Sequence, residues 1–554
     1  MAQWLLARPP QAAATTGVTP PSSAEIGGPR WYAGVALLSS IGAVLYLLHT
    51  PPVPDLAAQV ARAHVAKAGA FLWWDGWFGG MHLPSYSAAS PFIMNVLGVH
   101  VTAAIAAVVS VVLAADLLRD TPRPRAGTLA FGVAVFADVV GGRVTFALGL
   151  AAALGALVFL RRNHAVMGSL TAACTCLFSP LAGLFLGLIL VGVAVVDRDR
   201  RRPAAAMAGT LLALGGALAL FFPGAGQMPY PWWHMLLGLL LTSAVIVLCE
   251  DPRIRTAGFF IALTILALGI APGAIGSNVL RLVWLVAGPI VVACASLRGL
   301  RLLVIIVGLT VWPAIDLGVQ LARAESPSAH ESFYTPLVSA LSTQVALAGP
   351  ESRGQRVEVI DPATHWPAAY VAPSFPMARG WYRQADRSNN PLFYDGTFTP
   401  QRYHTWLSSL AVGWVALPMN VPLDGAAQKE AAAVRAEPAY LRLVWSNESW
   451  RLYRVVDSQP LLVGAEIVSA DKNTITFTAR NPGPVHVQIR WSPYVTLTAA
   501  EGSTSCVERD GQWTVVQVDS PGTYTLGTKF SLTRDNPSSR CSANGQLPPT
   551  VPVG

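Results

Sequence analysis

"WYAGVALLSSIGAVLYLLH", residues 31–49, decides how the rest of the chain is read. At 1.5 Å of rise per residue, an uninterrupted apolar run of this length covers the roughly 30 Å of hydrocarbon in a bilayer. The stretch ahead of it, residues 1–30, is polar and rich in Pro, Ala and Thr. A cleaved secretory signal needs a basic start, a short apolar core and a small-residue cleavage site, and residues 1–30 have no apolar core. The run at 31–49 therefore reads as a retained span, and residues 1–30 as a disordered cytoplasmic leader. Composition generalises the point. The chain has 554 residues, 53% of them hydrophobic and only 12% charged, with a mean hydropathy of +0.46. That excludes an ordinary soluble enzyme and predicts a polytopic protein.

Further apolar stretches lie near 92–115, 127–142, 144–160, 165–178, 181–196, 204–222, 234–249, 256–271, 279–296 and 302–321. With the first, they predict about eleven transmembrane helices. The pair Ser179-Pro180 is either a boundary between two helices or a kink within one. Basic residues set the orientation, since loops rich in Lys and Arg stay in the cytoplasm. With the N-terminus inside, Arg119, Arg123, Arg125, Arg161, Arg162, Arg198, Arg200 to Arg202, Arg253, Arg255, Arg298 and Arg301 all fall on the inner side. The net charge of +8 is thus accounted for by topology, and no nucleic-acid partner is implied.

This orientation predicts a plasma-membrane protein with a long first extracytoplasmic loop, residues 50–91, and with everything after the last span outside. Residues 322–461 mix short apolar runs with Pro and Gly and read as an α/β module, with a helix from Pro400 and a buried strand "VGWVALP" at 412–418. Residues 462–542 carry short alternating strands separated by turn residues, the pattern of a β-sandwich. Residues 543–554 read as a disordered tail. Cys174, Cys176, Cys249 and Cys294 fall in apolar spans. Cys506 and Cys541 are the only two in the outer region and are expected to pair as a disulfide, the alternative being two unpaired thiols.

The first outer loop contains "WWDGWFGGMHLPSYS" at 73–87. Trp73, Trp74, Asp75, Trp77, His82 and Tyr86 read either as an acceptor wall, with indoles stacking on sugar rings, or as interfacial anchors. A second outer loop, "PGAGQMPYPWWH" at 223–234, offers Trp232, Trp233 and His234 as another wall. Asp55, just after the first span, is placed to act as a general base on an acceptor hydroxyl, or to cap the helix that follows. No metal-ligand motif occurs in the outer loops, so no tightly bound metal is expected. In the soluble part, His365, Trp366, Arg379, Trp381, Arg383, Gln384, Asp386 and Asn390 form a polar and aromatic concentration, suited either to sugar binding or to a buried docking network.

The layout of a cytoplasmic N-terminus, a long first outer loop with an early acid, many spans and a C-terminal outer domain resembles the GT-C superfamily of membrane glycosyltransferases. The stretches "DLAAQ" (55–59), "GGMHLPSYS" (79–87), "GRVTFALGLAAALGAL" (142–157), "SPLAGLF" (179–185), "IGSNVLRL" (275–282) and "ARGWYRQADRSNNPLFY" (378–394) resemble a group of actinobacterial integral membrane proteins. The resemblance implies a GT-C-like α-helical fold, a polyprenyl-phosphate-linked sugar as donor, and a cell-envelope glycan or lipid as acceptor. Membrane lipids and the lipid-linked sugar would be its partners. GT-C enzymes commonly carry an acidic pair in this loop, whereas here Asp55 stands alone, with Asp75 twenty residues on, which puts divalent-metal dependence in doubt. Arg281 and Arg143, near outer helix ends, would bind the donor phosphate. Their structural alternative is ion pairing, Arg143 with Asp138 and Arg281 with Asp316. A transporter or lipid flippase, and a non-catalytic assembly or glycan-binding protein, are the competing functions.

Overall fold

The computed structural model describes residues 26–532 and Cys541, apart from Ala225, Pro272 and Arg298. Most of the leader, residues 1–25, and the tail at 543–554 lie outside the described residues. The chain divides into two compact units. One comprises the residues up to Ala63, Pro84–Ala329 and Arg383–Ser388; the other comprises His64–Leu83, His330–Tyr382 and the chain from Asn389 onward.

The first unit is helical. It contains α1 (Pro29–Leu48), the start of α2 (Pro54–Lys67), α3 (Ser90–Leu97), α4 (Val99–Leu118), α5 (Pro124–Val140), α6 (Val144–Arg161) and α7 (Ala165–Phe178). It continues through α8 (Pro180–Val196), α9 (Arg201–Phe221), α10 (Trp232–Leu248), α11 (Pro252–Ile270), α12 (Leu280–Cys294) and α13 (Gly299–Ala324). Every apolar stretch marked in the sequence is largely helical, the one at 92–115 being broken at Gly98 into α3 and α4. Among the described residues, seven segments are long and apolar enough to cross a membrane: α1, α4, α6, α9, α11, Gly276–Cys294 and α13. By the same measure α7, α8 and α10 are shorter apolar helices.

Local chemistry explains the boundaries. Ser179-Pro180 separates two helices. Ser179 is the N-cap of α8 and accepts a hydrogen bond from the Ala182 amide, while Pro180 occupies the first helical turn, where a missing N–H costs nothing. Small residues let the helices approach closely. A Cβ placed on Gly149 of α6 would lie 2.7 Å from the Ser179 Cβ and 2.8 Å from that of Ala182.

In the second unit, α14 (Glu331–Ala348) is a helix that the sequence reading did not isolate. It is followed by a mixed four-stranded sheet of β1 (Arg356–Val359), β2 (Val412–Pro418), β3 (Leu441–Ser446) and β4 (Trp450–Val455), in the order β1-β2-β4-β3. β1 and β2 are parallel, which demands a long crossover, and the short helices α15 (Pro367–Tyr370), α16 (Arg383–Asn389) and α17 (Pro400–Ser409) lie within it. All seven residues of β2 are buried. After α18 (Gln428–Arg435), Tyr403, Leu407, Val415, Leu417, Val434 and Tyr453 share one core.

The C-terminal part is β-rich. β5 (Leu462–Val463), β8 (Gly483–Arg490), β10 (Cys506–Asp510) and β11 (Trp513–Val518) form one sheet. β6 (Glu466–Ala470), β7 (Ile475–Ala479), β9 (Val495–Thr498) and β12 (Gly522–Thr528) form another. Val485, Val487, Val507 and Val516 of the first sheet and Phe477, Tyr524 and Leu526 of the second bury into a single core, as a sandwich requires. Cys506 and Cys541 are joined by a disulfide.

Candidate functional site

Asp55, Arg143, Arg281, Asp138 and Asp316 meet in the helical unit. The cause is partly a glycine pair. Gly141 and Gly142 turn the chain from α5 into α6, with Gly142 at φ +80°, a left-handed conformation that strains any residue with a Cβ. A Cβ there would lie 2.7 Å from the Leu56 amide nitrogen and 2.9 Å from Val53 Cγ2. The bare turn therefore packs against the start of α2 and delivers Arg143, the N-cap of α6, beside Asp55 in the first turn of α2.

Arg143 is surrounded by carboxylates. Its Nη2 lies 2.8 Å from Asp316 Oδ2, its Nη1 3.2 Å from Asp138 Oδ1 and its Nε 3.6 Å from Asp55 Oδ2. The same Asp55 oxygen lies 3.5 Å from Arg281 Nη2 in the first turn of α12. Side-chain exposure falls from 30% at Asp55 and 29% at Asp316 to 16% at Arg143. The network thus has a wet side and a dry side. An arginine this enclosed needs counter-charge, and Asp138 and Asp316 supply it at direct hydrogen-bond distance. The two contacts of Asp55 exceed that distance, so they are ion pairs of a looser kind. Asp316 pairs with Arg143, where the sequence reading gave it to Arg281; the rotation of α13 about its axis, invisible in sequence, decides this. Just beyond the network, Gln59 and Thr145 share a buried hydrogen bond between α2 and α6.

Part of the second aromatic loop lies on the same side. Trp312, one turn before Asp316, packs edge-on to Trp233 at 4.9 Å and to His234 at 6.1 Å. His234 Nδ1 is 2.9 Å from Ser277 Oγ, which donates to the Pro229 carbonyl at 2.6 Å. Trp232 points away and is 72% exposed. Tyr86 of the first loop lies under the Arg62 guanidinium, 3.7 Å from its ring centroid.

The remainder of the first loop is arranged differently from an acceptor wall. Trp73, Trp74, Asp75 and Trp77 are buried in the second unit. Trp73 belongs to the core of the sandwich with Phe477 and Val495. Trp77 rests where Gly380 has no side chain, since a Cβ there would lie 2.2 Å from the indole, and Gly80 makes the same allowance for Trp73 at 2.3 Å. Asp75 pairs with Arg356 of β1, whose side chain is wholly buried. Burial pushes the Asp75 carboxyl above its ordinary value, and the Arg356 charge works the other way. His82 is also enclosed. Its Nδ1 is 2.8 Å from the Leu72 carbonyl, it packs edge-on to Tyr494, and burial holds its pKa below the ordinary value. Indoles with no exposed face cannot stack on a sugar, so the acceptor-wall expectation for Trp73, Trp74, Asp75 and Trp77 is corrected to a packing role.

The polar run at 365–390 is split between the units. Arg383, Gln384 and Asp386 belong to the helical unit, where Gln384 Nε2 donates to the Ala274 carbonyl at 3.1 Å and Asp386 is buried. In the second unit, His365 is stacked on Trp381 at 3.4 Å and paired with Asp361. Trp366 stacks on Tyr370 at 4.9 Å. Arg379 lies 3.0 Å from Glu430 Oε2, and Asn390 Oδ1 accepts from Trp406 Nε1 at 2.9 Å. His365, Trp366, Arg379, Asp386 and Asn390 are buried, whereas Trp381, Arg383 and Gln384 are half-buried.

Among the described residues no group of three or more His, Cys, Asp or Glu is placed to hold a metal ion. Sequence reading missed Trp312, an aromatic inside an apolar run that carries no signal of its own. It also missed Arg356, whose place in the alternation "RVEV" of a buried strand is a usable signal for a buried ion pair.

Residues 463–545 match the family model of a domain of unknown function (DUF8823). The match covers the sandwich and none of the charged network. No curated protein matches the chain.

Proposed function

We propose that the chain is a membrane glycosyltransferase that moves a sugar from a polyprenyl-phosphate-linked donor to a cell-envelope glycan or lipid on the outer face of the plasma membrane. In this reading the N-terminus is cytoplasmic and the α/β and sandwich regions are extracytoplasmic. The apolar exteriors of α9, α11 and α13, with Leu212, Ile270 and Val304 exposed, suit lipid contact, and the disulfide suits an oxidising compartment.

One observation carries the reading: Asp55 and Arg281, 226 positions apart in sequence, share a contact in a partly exposed network with Arg143 and Asp316. The donor phosphate binds Arg281, replacing the 3.5 Å contact to Asp55 by forked hydrogen bonds. Asp55, freed on one side, takes the proton of the acceptor hydroxyl as its oxygen attacks the anomeric carbon. The bond from that carbon to the phosphate oxygen breaks, the polyprenyl phosphate leaves with the electron pair, and Arg281 stabilises its charge. Arg143, already held by Asp138 and Asp316, positions Asp55 instead of binding phosphate. Trp233, His234 and Trp312 line the acceptor side.

The test is profiling of envelope glycans and lipid-linked sugars in cells carrying a deletion, Asp55→Asn or Arg281→Gln, with protein level checked in each. The expected result is that all three lose one glycan, or accumulate one lipid-linked sugar, while both variant proteins stay abundant. A phenotype in the deletion with wild-type profiles in both variants overturns the assignment and leaves Asp55 as a clamp between helices in a transporter or scaffold.

A further inference from the structure

The second unit contains a guanidinium with no negative partner among the described residues. Arg490 ends β8, opposite Trp513 of β11. Its Nε donates to the Phe78 carbonyl at 2.6 Å, its Nη1 to Gln512 Oε1 at 2.7 Å and its Nη2 to the Asn389 carbonyl at 3.4 Å, while its own amide donates to the Gly79 carbonyl at 2.7 Å. Every acceptor is neutral, and among the described residues no carboxylate pairs with it. Its Cζ lies 5.4 Å from the centre of the Trp513 ring.

The neighbourhood sharpens the imbalance. Arg356, the other guanidinium beside the Phe78-Gly79 turn, has already taken Asp75, and its Nη1 donates to the Leu410 and Gln488 carbonyls at 2.8 and 2.9 Å. Of the two arginines at this turn, only Arg356 has a carboxylate partner among the described residues. Burial, with the repulsion of Arg356, lowers the Arg490 pKa to about 10. A charge taken out of water normally gains a counter-charge, because its lost hydration is otherwise uncompensated. Phe78 adds a second sign. It holds φ at +60°, a conformation unusual for a residue with a bulky side chain, and by doing so aims its carbonyl at Arg490.

One edge of Arg490 is accessible. Nη1 faces Gln512, an exposed residue at the Gly511-Gln512 turn, whose amide oxygen is a weaker acceptor than an oxyanion. We propose that Arg490 anchors a binding site for an oxyanion, the carboxylate or phosphate group of a glycan, which displaces the Gln512 side chain and takes the open edge of the guanidinium. Trp513 beside it offers a ring against which the attached sugar packs. The site lies in a different unit from Asp55 and does not depend on the transferase reading.

The experiment uses the full-length protein in detergent micelles, in low-salt buffer at pH 7. Thermal melting by tryptophan fluorescence and titration calorimetry are run with inorganic phosphate, glucuronate and, as a neutral control, glucose. One or both oxyanions should raise the melting midpoint saturably, beyond chloride at equal ionic strength, while glucose does not. A stronger response to phosphate assigns a phosphorylated glycan, and a stronger one to glucuronate a carboxylated sugar. Arg490→Gln should weaken binding at least tenfold, and Arg480→Gln, at an exposed pair with Glu466, should not. Gln512→Glu supplies the missing charge from within, so it should melt higher than wild type and lose at least tenfold in oxyanion affinity. This second variant keeps the test decisive if Arg490→Gln does not fold. The proposal is overturned if neither oxyanion shifts the wild type beyond chloride, or if Gln512→Glu binds as the wild type does.

Discussion

Asp55 and Asp75 stand in one loop and each faces arginine, yet the two contacts differ in kind. Asp55 is 30% exposed and is shared between two guanidinium groups at 3.5 and 3.6 Å. Asp75 is 7% exposed and is held in direct contact by one wholly buried guanidinium. Loose, wet contacts are exchanged for a ligand at small cost, whereas a dry pair costs several kcal/mol to break. Chemistry is therefore expected at the first position and architecture at the second, although the acids look equivalent in sequence.

The comparison fails most visibly if Asp75 is dispensable. Asp75→Ala leaves Arg356 buried without a counter-charge and should destabilise the second unit by about 3–5 kcal/mol, read as lost yield and a lower melting midpoint; a variant that melts with the wild type removes the distinction. Next in size is the disulfide. Cys506→Ser removes the cross-link to Cys541 and should cost about 2–4 kcal/mol, with reductant abolishing the difference between variant and wild type. His82 sharpens the same side of the comparison through pH. Its pKa is depressed by burial in the folded state, so its contribution is fully present above the unfolded value of about 6.5 and is lost as pH falls through the folded value. Between the unfolded and the folded value stability should fall by up to about 1.4 kcal/mol per pH unit as pH drops, and His82→Gln should flatten the slope. His64, also depressed by burial, adds a residual slope of the same sign. The smallest effect belongs to Asp55→Asn. Arg143 keeps Asp138 and Asp316, so the melting midpoint should move by the equivalent of about 1 kcal/mol or less. A large loss of stability there makes Asp55 architectural and erases the contrast.

Sequence reading fares unevenly across these regions for identifiable reasons. Apolar runs and strand alternation are local and periodic, so the helices from α4 to α13 and the strands β6 to β9, β11 and β12 are visible before any contact is known, whereas β10, "CVERD", is not. The pairing of Asp138 with Arg143 spans five positions across a Gly-Gly turn and is equally local. Which arginine Asp316 meets depends on how α13 is rotated against α6 and α12, and no local pattern encodes that. The tryptophans of the first loop mislead because indole suits a membrane interface and a protein core alike. For Trp77, what separates the two is space left by a distant glycine. That residue, Gly380, lies some 300 positions after Trp77, and its role is legible only once the chain has folded.

The placement of Trp73 also sets a schedule. Its core neighbours begin at Leu461, almost 400 residues later in the chain. At about 5–20 residues per second of synthesis, the indole waits roughly 20–80 s for the sheets that cover it. Throughout that interval the nascent protein carries an indole whose core partners have not yet been made.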